Sequence, residues 1–254
     1  MKKLLAITAL SAALFFGQTA AAEEKAAEEV KPSHVEMVLV LDESGSMSNL
    51  TNDTIGGFNS MIEKEKKLDV DAHVTTVLFN DQYKMLYNRR ELKDVSKMTD
   101  KDYTPGGMTA LLDAVGRTIH KMDMVSGIHR KDKGNKVLFV IITDGEENDS
   151  REYTYADVKK LIKDRQENAG WEFIFLGANI DAAAEAENLG IGSDRAVKYK
   201  NTGSGVRANF MAVAELSDSL AKSGRVSDEW KETVEKDEDD AADKQSAAVT
   251  LHRR

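Results

Sequence analysis

A doubly wound α/β domain is what this sequence predicts, with a mostly parallel sheet, one antiparallel edge strand and helices on both faces. Short, wholly apolar runs end abruptly in acids or turn residues, as strands buried on both faces do. These runs alternate with longer segments of helical periodicity. One pair of strand-like runs has no helix between its members, which marks the antiparallel edge.

Taken in order, Val35–Leu41 is the first buried strand, and Asn52–Lys67 a helix with Ile55, Phe58, Asn59 and Ile62 at helical spacing. Val70–Phe79 and Tyr83–Arg90 flank Asn80-Asp81, a hairpin signal even though the turn glycine is missing. Lys84, Arg89 and Arg90 suit the protection of an exposed sheet edge. Pro105-Gly106-Gly107 then breaks the chain ahead of a helix over Ala110–Val125, which sets Leu111, Val115, Ile119 and Met122 on one side. Val137–Thr143 is the next buried strand. Tyr155–Asn168 follows as a helix, Trp171–Leu176 as a strand, Ala182–Leu189 as a helix, Ala196–Lys200 as a short strand and Gly205–Leu220 as the last helix. No internal repeat and no heptad array is visible.

This domain occupies residues 34–222. Ahead of it, Lys2 and Lys3 precede an apolar stretch from Leu4 to Phe16 and then Ala20-Ala21-Ala22. That is the pattern of a secretory signal over residues 1–22, followed by an acidic, alanine-rich linker over 23–33. The apolar stretch is short for a membrane span, so a cleaved leader and export to the periplasm or medium are expected. Residues 223–254 read as an acidic tail that stays unstructured, with Trp230 either docked on the domain or exposed. The chain has no cysteine, which excludes a lipoprotein anchor and disulfides. A formal net charge of -9 argues against binding nucleic acid or anionic membrane.

Three segments carry chemistry. Val38-Leu39-Val40-Leu41 runs into Asp42-Glu43-Ser44-Gly45-Ser46, where an acid and two hydroxyls at alternate positions can converge on one point. Oxygen donors with one carboxylate suit a hard divalent cation. Thr109 stands at the start of the helix after the glycine turn, and Asp144 ends the strand Val137–Thr143 before Gly145. Each alone reads equally well as an ordinary cap or turn residue. Together they sit where ligands bind in an open parallel sheet, outside the carboxyl ends of its strands.

At these residues the chain resembles the von Willebrand factor A domain family in its metal-binding form. The metal-ion-dependent adhesion site of that family is written D-x-S-x-S, then a threonine, then an aspartate. Asp42, Ser44, Ser46, Thr109 and Asp144 match it with no position missing. The resemblance covers about Val35 to Leu220 and implies direct coordination by Ser44 and Ser46. It implies that Asp42 acts chiefly through bound water, with Thr109 and Asp144 direct or water-mediated. It further implies Mg²⁺ or Mn²⁺ rather than Ca²⁺ as cofactor, no catalytic residue, and a partner protein that offers an Asp or Glu side chain to the metal. The chain resembles a stand-alone bacterial member of the family, and a monomer is expected, although nothing in the sequence fixes the oligomeric state.

Two other readings stay open: a phosphatase-like hydrolase with Asp42 as nucleophile, and a scaffold or chaperone-like subunit with a purely structural metal. The first lacks a second acid at position 44, which is Ser44, and no Ser-His-Asp or Cys-His arrangement is apparent. The five histidines, His34, His73, His120, His129 and His252, share no ligand spacing, so zinc is not expected. Gly190-Ile191-Gly192-Ser193 follows a helix, the wrong context for a phosphate loop. Glu146, Glu147 and Asp149 read as a solvated acidic rim, and Met47 and Met108 as loop residues able to offer a soft apolar surface to a partner.

Overall fold

The computed structural model describes residues 34–68, 70–125, 135–227 and 229–236. The expected leader and linker, and the acidic run Asp237–Asp240, lie outside the described residues. Six strands form one sheet: β1 (His34–Asp42), β2 (Ala72–Phe79), β3 (Tyr83–Glu91), β4 (Asn135–Thr143), β5 (Glu172–Gly177) and β6 (Ala196–Lys198). Their order is β3-β2-β1-β4-β5-β6, with β3 alone antiparallel. The expected mixed sheet is therefore observed. Its order reverses between β1 and β4, so the crevice at that switch point lies beyond Asp42 and Thr143.

Alternation along β1 feeds two cores. Val35, Met37, Leu39 and Leu41 face the layer containing α1 (Thr51–Lys67) and α5 (Gly203–Ser223). Val38 and Val40 face α2 (Leu111–Asp123), α3 (Tyr155–Asp164) and α4 (Ala182–Leu189). A strand with both faces buried has no place for the usual polar alternation, which is why β1 and β4 read as continuous apolar runs. Helices α1 and α5 approach closely at Gly57, where a β-carbon would lie 2.5 Å from the Phe210 ring. α3 starts with a capping box made by Thr154 and Asp157 and continues as a π-helical turn over Arg165–Ala169, ended by left-handed Gly170.

Three expectations need correction. Packing does not stop at residue 222: Val226, Trp230 and Val234 are buried in the same core as Leu216 and Leu220, and residues 230–236 are helical. Burial of one tryptophan and two valines outweighs the polarity around them. Arg89 does not guard the edge. Two residues of β3, Asn88 and Arg89, oppose Thr75 alone, and in this bulge Arg89 takes a positive φ of 46° and turns its guanidinium across β2 to Glu36. The histidines are not all dispersed either. Parallel register places His73 beside Glu36, and His34 shares Glu36's face of β1, so residues far apart in sequence meet.

On α1, Glu65 is fully buried, and one carboxylate oxygen accepts a 2.8 Å hydrogen bond from Ser217 of α5. Burial, reinforced by nearby Asp218 and opposed by the Ser217 bond, raises its pKa to about 7. The unfolded chain releases this proton near 4.5, whereas the folded chain holds it to about 7. Stability is therefore fully present below the lower value, falls as pH rises through this window and levels off above it. Glu65→Gln should flatten that slope, closing a difference on the order of 3 kcal/mol between pH 4.5 and 8. Urea denaturation of both proteins across this range checks it; identical slopes would exclude the effect.

Candidate functional site

Asp42, the last residue of β1, is buried with both carboxylate oxygens engaged. Oδ1 accepts from the Ser44 backbone N–H at 2.7 Å and Oδ2 from the Thr143 hydroxyl at 2.6 Å. Thr143 ends β4, so this bond joins the two strands that flank the switch point. The Asp42 carbonyl accepts from the buried Tyr103 hydroxyl at 2.6 Å. After Asp42 the chain enters a 3-10 turn over Gly45–Leu50, which turns Ser44 and Ser46 toward β4. Their hydroxyl oxygens lie 3.1 Å apart, and the Ser46 hydroxyl donates to Asp144 Oδ1 at 2.5 Å. Asp144 Oδ2 accepts from Asn201, in the loop before α5, at 3.2 Å.

Thr109 completes the group, though not as a helix cap. It is 3% exposed, and α2 begins two residues later without a side-chain cap bond from its N-cap Ala110. Glu147 and Ser150 supply the missing acceptors instead, taking the N–H groups of Leu112 at 2.9 Å and Asp113 at 3.0 Å. The Thr109 hydroxyl is thus left for the crevice: a β-carbon on Gly145 would lie 3.5 Å from it and 3.8 Å from the Ser46 hydroxyl. All five residues singled out in the sequence border one crevice, and four are joined there directly or through Thr143.

Residues that the sequence reading passed over hold these loops. Buried Glu43 accepts from the Thr104 backbone through its side chain, and across the two loops the Gly106 N–H donates to the Glu43 carbonyl at 2.9 Å and the Gly45 N–H to the Gly107 carbonyl at 3.2 Å. Gly107 has a φ of 76°, and its missing side chain leaves room for Asp81. Asn148 bonds both backbone groups of Thr109, at 2.8 and 3.0 Å. Glu147 is no solvated rim acid: beyond Leu112 it accepts from the backbones of Asp149 and Ser150 and from the Ser150 hydroxyl at 2.7 to 2.9 Å. Glu146 is exposed, as expected of a rim acid. Met108 is 51% exposed beside the crevice, whereas Met47 is buried and unavailable to a partner.

Burial pushes the pKa of Asp42 up, Asp144 adds to the rise, and the bonds from Thr143 and Ser44 oppose it. Among the described residues neither Asp42 nor Asp144 has a lysine or arginine within ion-pair distance. Two buried carboxylates without a cationic side chain, joined by neutral hydroxyls, form a donor set for a hard divalent ion. The 2.5 and 3.1 Å spacings bracket the roughly 2.9 Å between adjacent oxygens of an octahedral Mg²⁺ shell. The residues therefore fit such an ion.

A profile of the vWA-TerF-like family, described as the vWA found in the TerF C terminus, matches residues 34–191. No curated protein sequence matches. Among solved structures, the open conformation of the pilus adhesin SpaC from Lactobacillus rhamnosus GG superposes with a TM-score of 0.59 at 14% identity, over 76% of this chain and 31% of that one. The PilB minor pilin from Streptococcus sanguinis gives 0.55 at 11%, over 75% and 63%. A von Willebrand factor type A protein from Catenulispora acidiphila gives 0.52 at 16%, over 74% and 43%. The chain spans less than two thirds of each, and at such identities the likeness is one of fold.

Because Glu147 holds the start of α2 to the loop after β4, Glu147→Ala should cost on the order of 2 kcal/mol. It should also speed amide hydrogen exchange at Leu112, Asp149 and Ser150 ahead of global unfolding. Unchanged exchange at these three amides would show that the staple is dispensable.

Proposed function

This chain belongs to the vWA-TerF-like family, and from that premise we propose that it is a metal-dependent protein-binding module with a metal-ion-dependent adhesion site of Asp42, Ser44, Ser46, Thr109 and Asp144. The observation that carries the proposal is the pair of buried, cation-free carboxylates at the switch point, with three hydroxyls around them. A bound Mg²⁺ or Mn²⁺ would supply the missing positive charge and an exchangeable position for a partner's Asp or Glu carboxylate. Ser44 and Ser46 would offer neutral oxygens, so the ion's charge is not quenched by the protein. Asp42 holds the turn through the Ser44 N–H, and Thr143 keeps that carboxylate in place. Asn201 fixes the second oxygen of Asp144. Met108, exposed beside the crevice, gives a partner an adaptable apolar contact.

The hydrolase reading has less support, because Asp42 is 1% exposed and both of its oxygens accept protein hydrogen bonds, a poor state for a nucleophile. We take the protein to be non-enzymatic and monomeric. We also take it to act outside the cytoplasm, on the strength of the basic and apolar pattern at its start. None of the described helices is long and apolar enough to cross a membrane.

Calorimetric titration of Mg²⁺ and Mn²⁺ into the metal-free chain should reveal one saturable site. The double variant Asp42→Ala, Ser46→Ala should lose it. A peptide bearing a single glutamate should then bind with Mg²⁺ present and be released by chelator. No binding and no thermal protection at millimolar metal would remove the adhesion site; metal binding without any carboxylate capture would favour a purely structural ion.

A further inference from the structure

The other end of β1 carries a second cluster. His34 and Glu36 lie on the same face of the strand, and His73 of β2 stands beside Glu36 in register. His34 Nε2, His73 Nδ1 and Glu36 Oε1 form a triangle with edges of 2.9, 3.3 and 3.3 Å. Two ligand atoms of one tetrahedral zinc ion are about 3.3 Å apart, because each lies roughly 2.0–2.1 Å from the metal. Three donors that approach one another this closely can all reach one ion between them.

The surroundings are those of a metal-binding histidine. The far nitrogen of His34, Nδ1, lies 3.0 Å from Asp71 Oδ1, the carboxylate–histidine arrangement that fixes a ring's tautomer and orientation behind a metal. Glu36 is 2% exposed; Arg89 holds its Oε2 through Nε at 3.0 Å and also contacts Oε1 through Nη2, and Oε1 is the oxygen that faces the two imidazoles. Arg89 makes this contact from the bulge and the positive φ described above, a backbone conformation that residues other than glycine seldom adopt. On the outer side His34, Asp71, His73, Glu91 and Lys93 border a cleft of about 490 Å³.

We propose that His34, Glu36 and His73 bind a borderline divalent cation of the zinc type, with three protein ligands and a fourth position open to this cleft. Two imidazoles and one carboxylate prefer such an ion to Mg²⁺, so this site and the oxygen-only crevice select different metals. The competing arrangement is metal-free. In it Arg89, whose Nη2 also contacts Glu36 Oε1 and lies 3.3 Å from His73 Nδ1, neutralises Glu36 alone.

The test uses the Asp42→Ala chain, so that the crevice does not contribute. Zn²⁺ calorimetry should show one equivalent bound, and Co²⁺ should give the intense visible absorption of a tetrahedral centre. His73→Ala should weaken Zn²⁺ binding by about 100-fold or more, and Asp71→Asn, at an exposed side chain, by about 10-fold through His34. Circular dichroism checks that both remain folded. Absence of a Zn²⁺ equivalent, or an affinity indifferent to His73→Ala while the variant stays folded, would overturn the proposal in favour of the Arg89 network.

Discussion

Two carboxylates of like charge are brought together at the carboxyl ends of β1 and β4, in a place where water does little to screen them. Left alone, such a pair expels its charge by taking up protons or pushes the strands apart. Much of the surrounding architecture opposes both outcomes. Thr143 and the Ser44 N–H hold one carboxylate, Ser46 and Asn201 the other, and the Tyr103 hydroxyl ties down the Asp42 carbonyl. The loops that carry Ser44, Thr109 and Asp144 are fastened to one another, so the oxygens are already arranged, and the ion proposed for this crevice would have little ordering left to impose.

The same strand has a polar group at each end. From Glu36 to Asp42 is six residues, about 20 Å of extended chain. Between them Val38 and Val40 are fully buried, so the span is stiff. Both polar ends also depend on one register. A slip of a single residue against β2 or β4 would turn Glu36 and Asp42 to the opposite face together, and the apolar run between them makes that slip costly.

Much of this was legible in the sequence, for physical reasons that differ from residue to residue. The strands could be read because burial on both faces suppresses polar residues, and Asp42, Ser44 and Ser46 because a single turn carries all three. Glu147 could not be read. An acid after a strand looks the same whether solvated or stapling a helix, and what decides is where the first turn of α2 comes to rest. His34 and His73 stand 39 positions apart, and only the β1–β2 register makes them neighbours. Arg89 required a bulge that no local signal announces. Trp230 did leave a trace: Val226, Trp230 and Val234 recur every four residues, the period of a helix face, inside a stretch whose overall acidity masked it.

That buried tryptophan has a practical consequence. A fragment cut where composition first turns acidic, near Arg225, would lack Trp230 and Val234 and leave a notch in the core beside Leu216 and Leu220. Loss of a buried aromatic of this size costs roughly 3–5 kcal/mol, a large share of what holds a domain together. Such a fragment would also present fresh apolar surface, and material prepared from it would adhere to itself and to bystanders by a route that needs no metal. In a protein read as an adhesive module, that artefact would imitate the function sought, so any minimal version must run through Lys236.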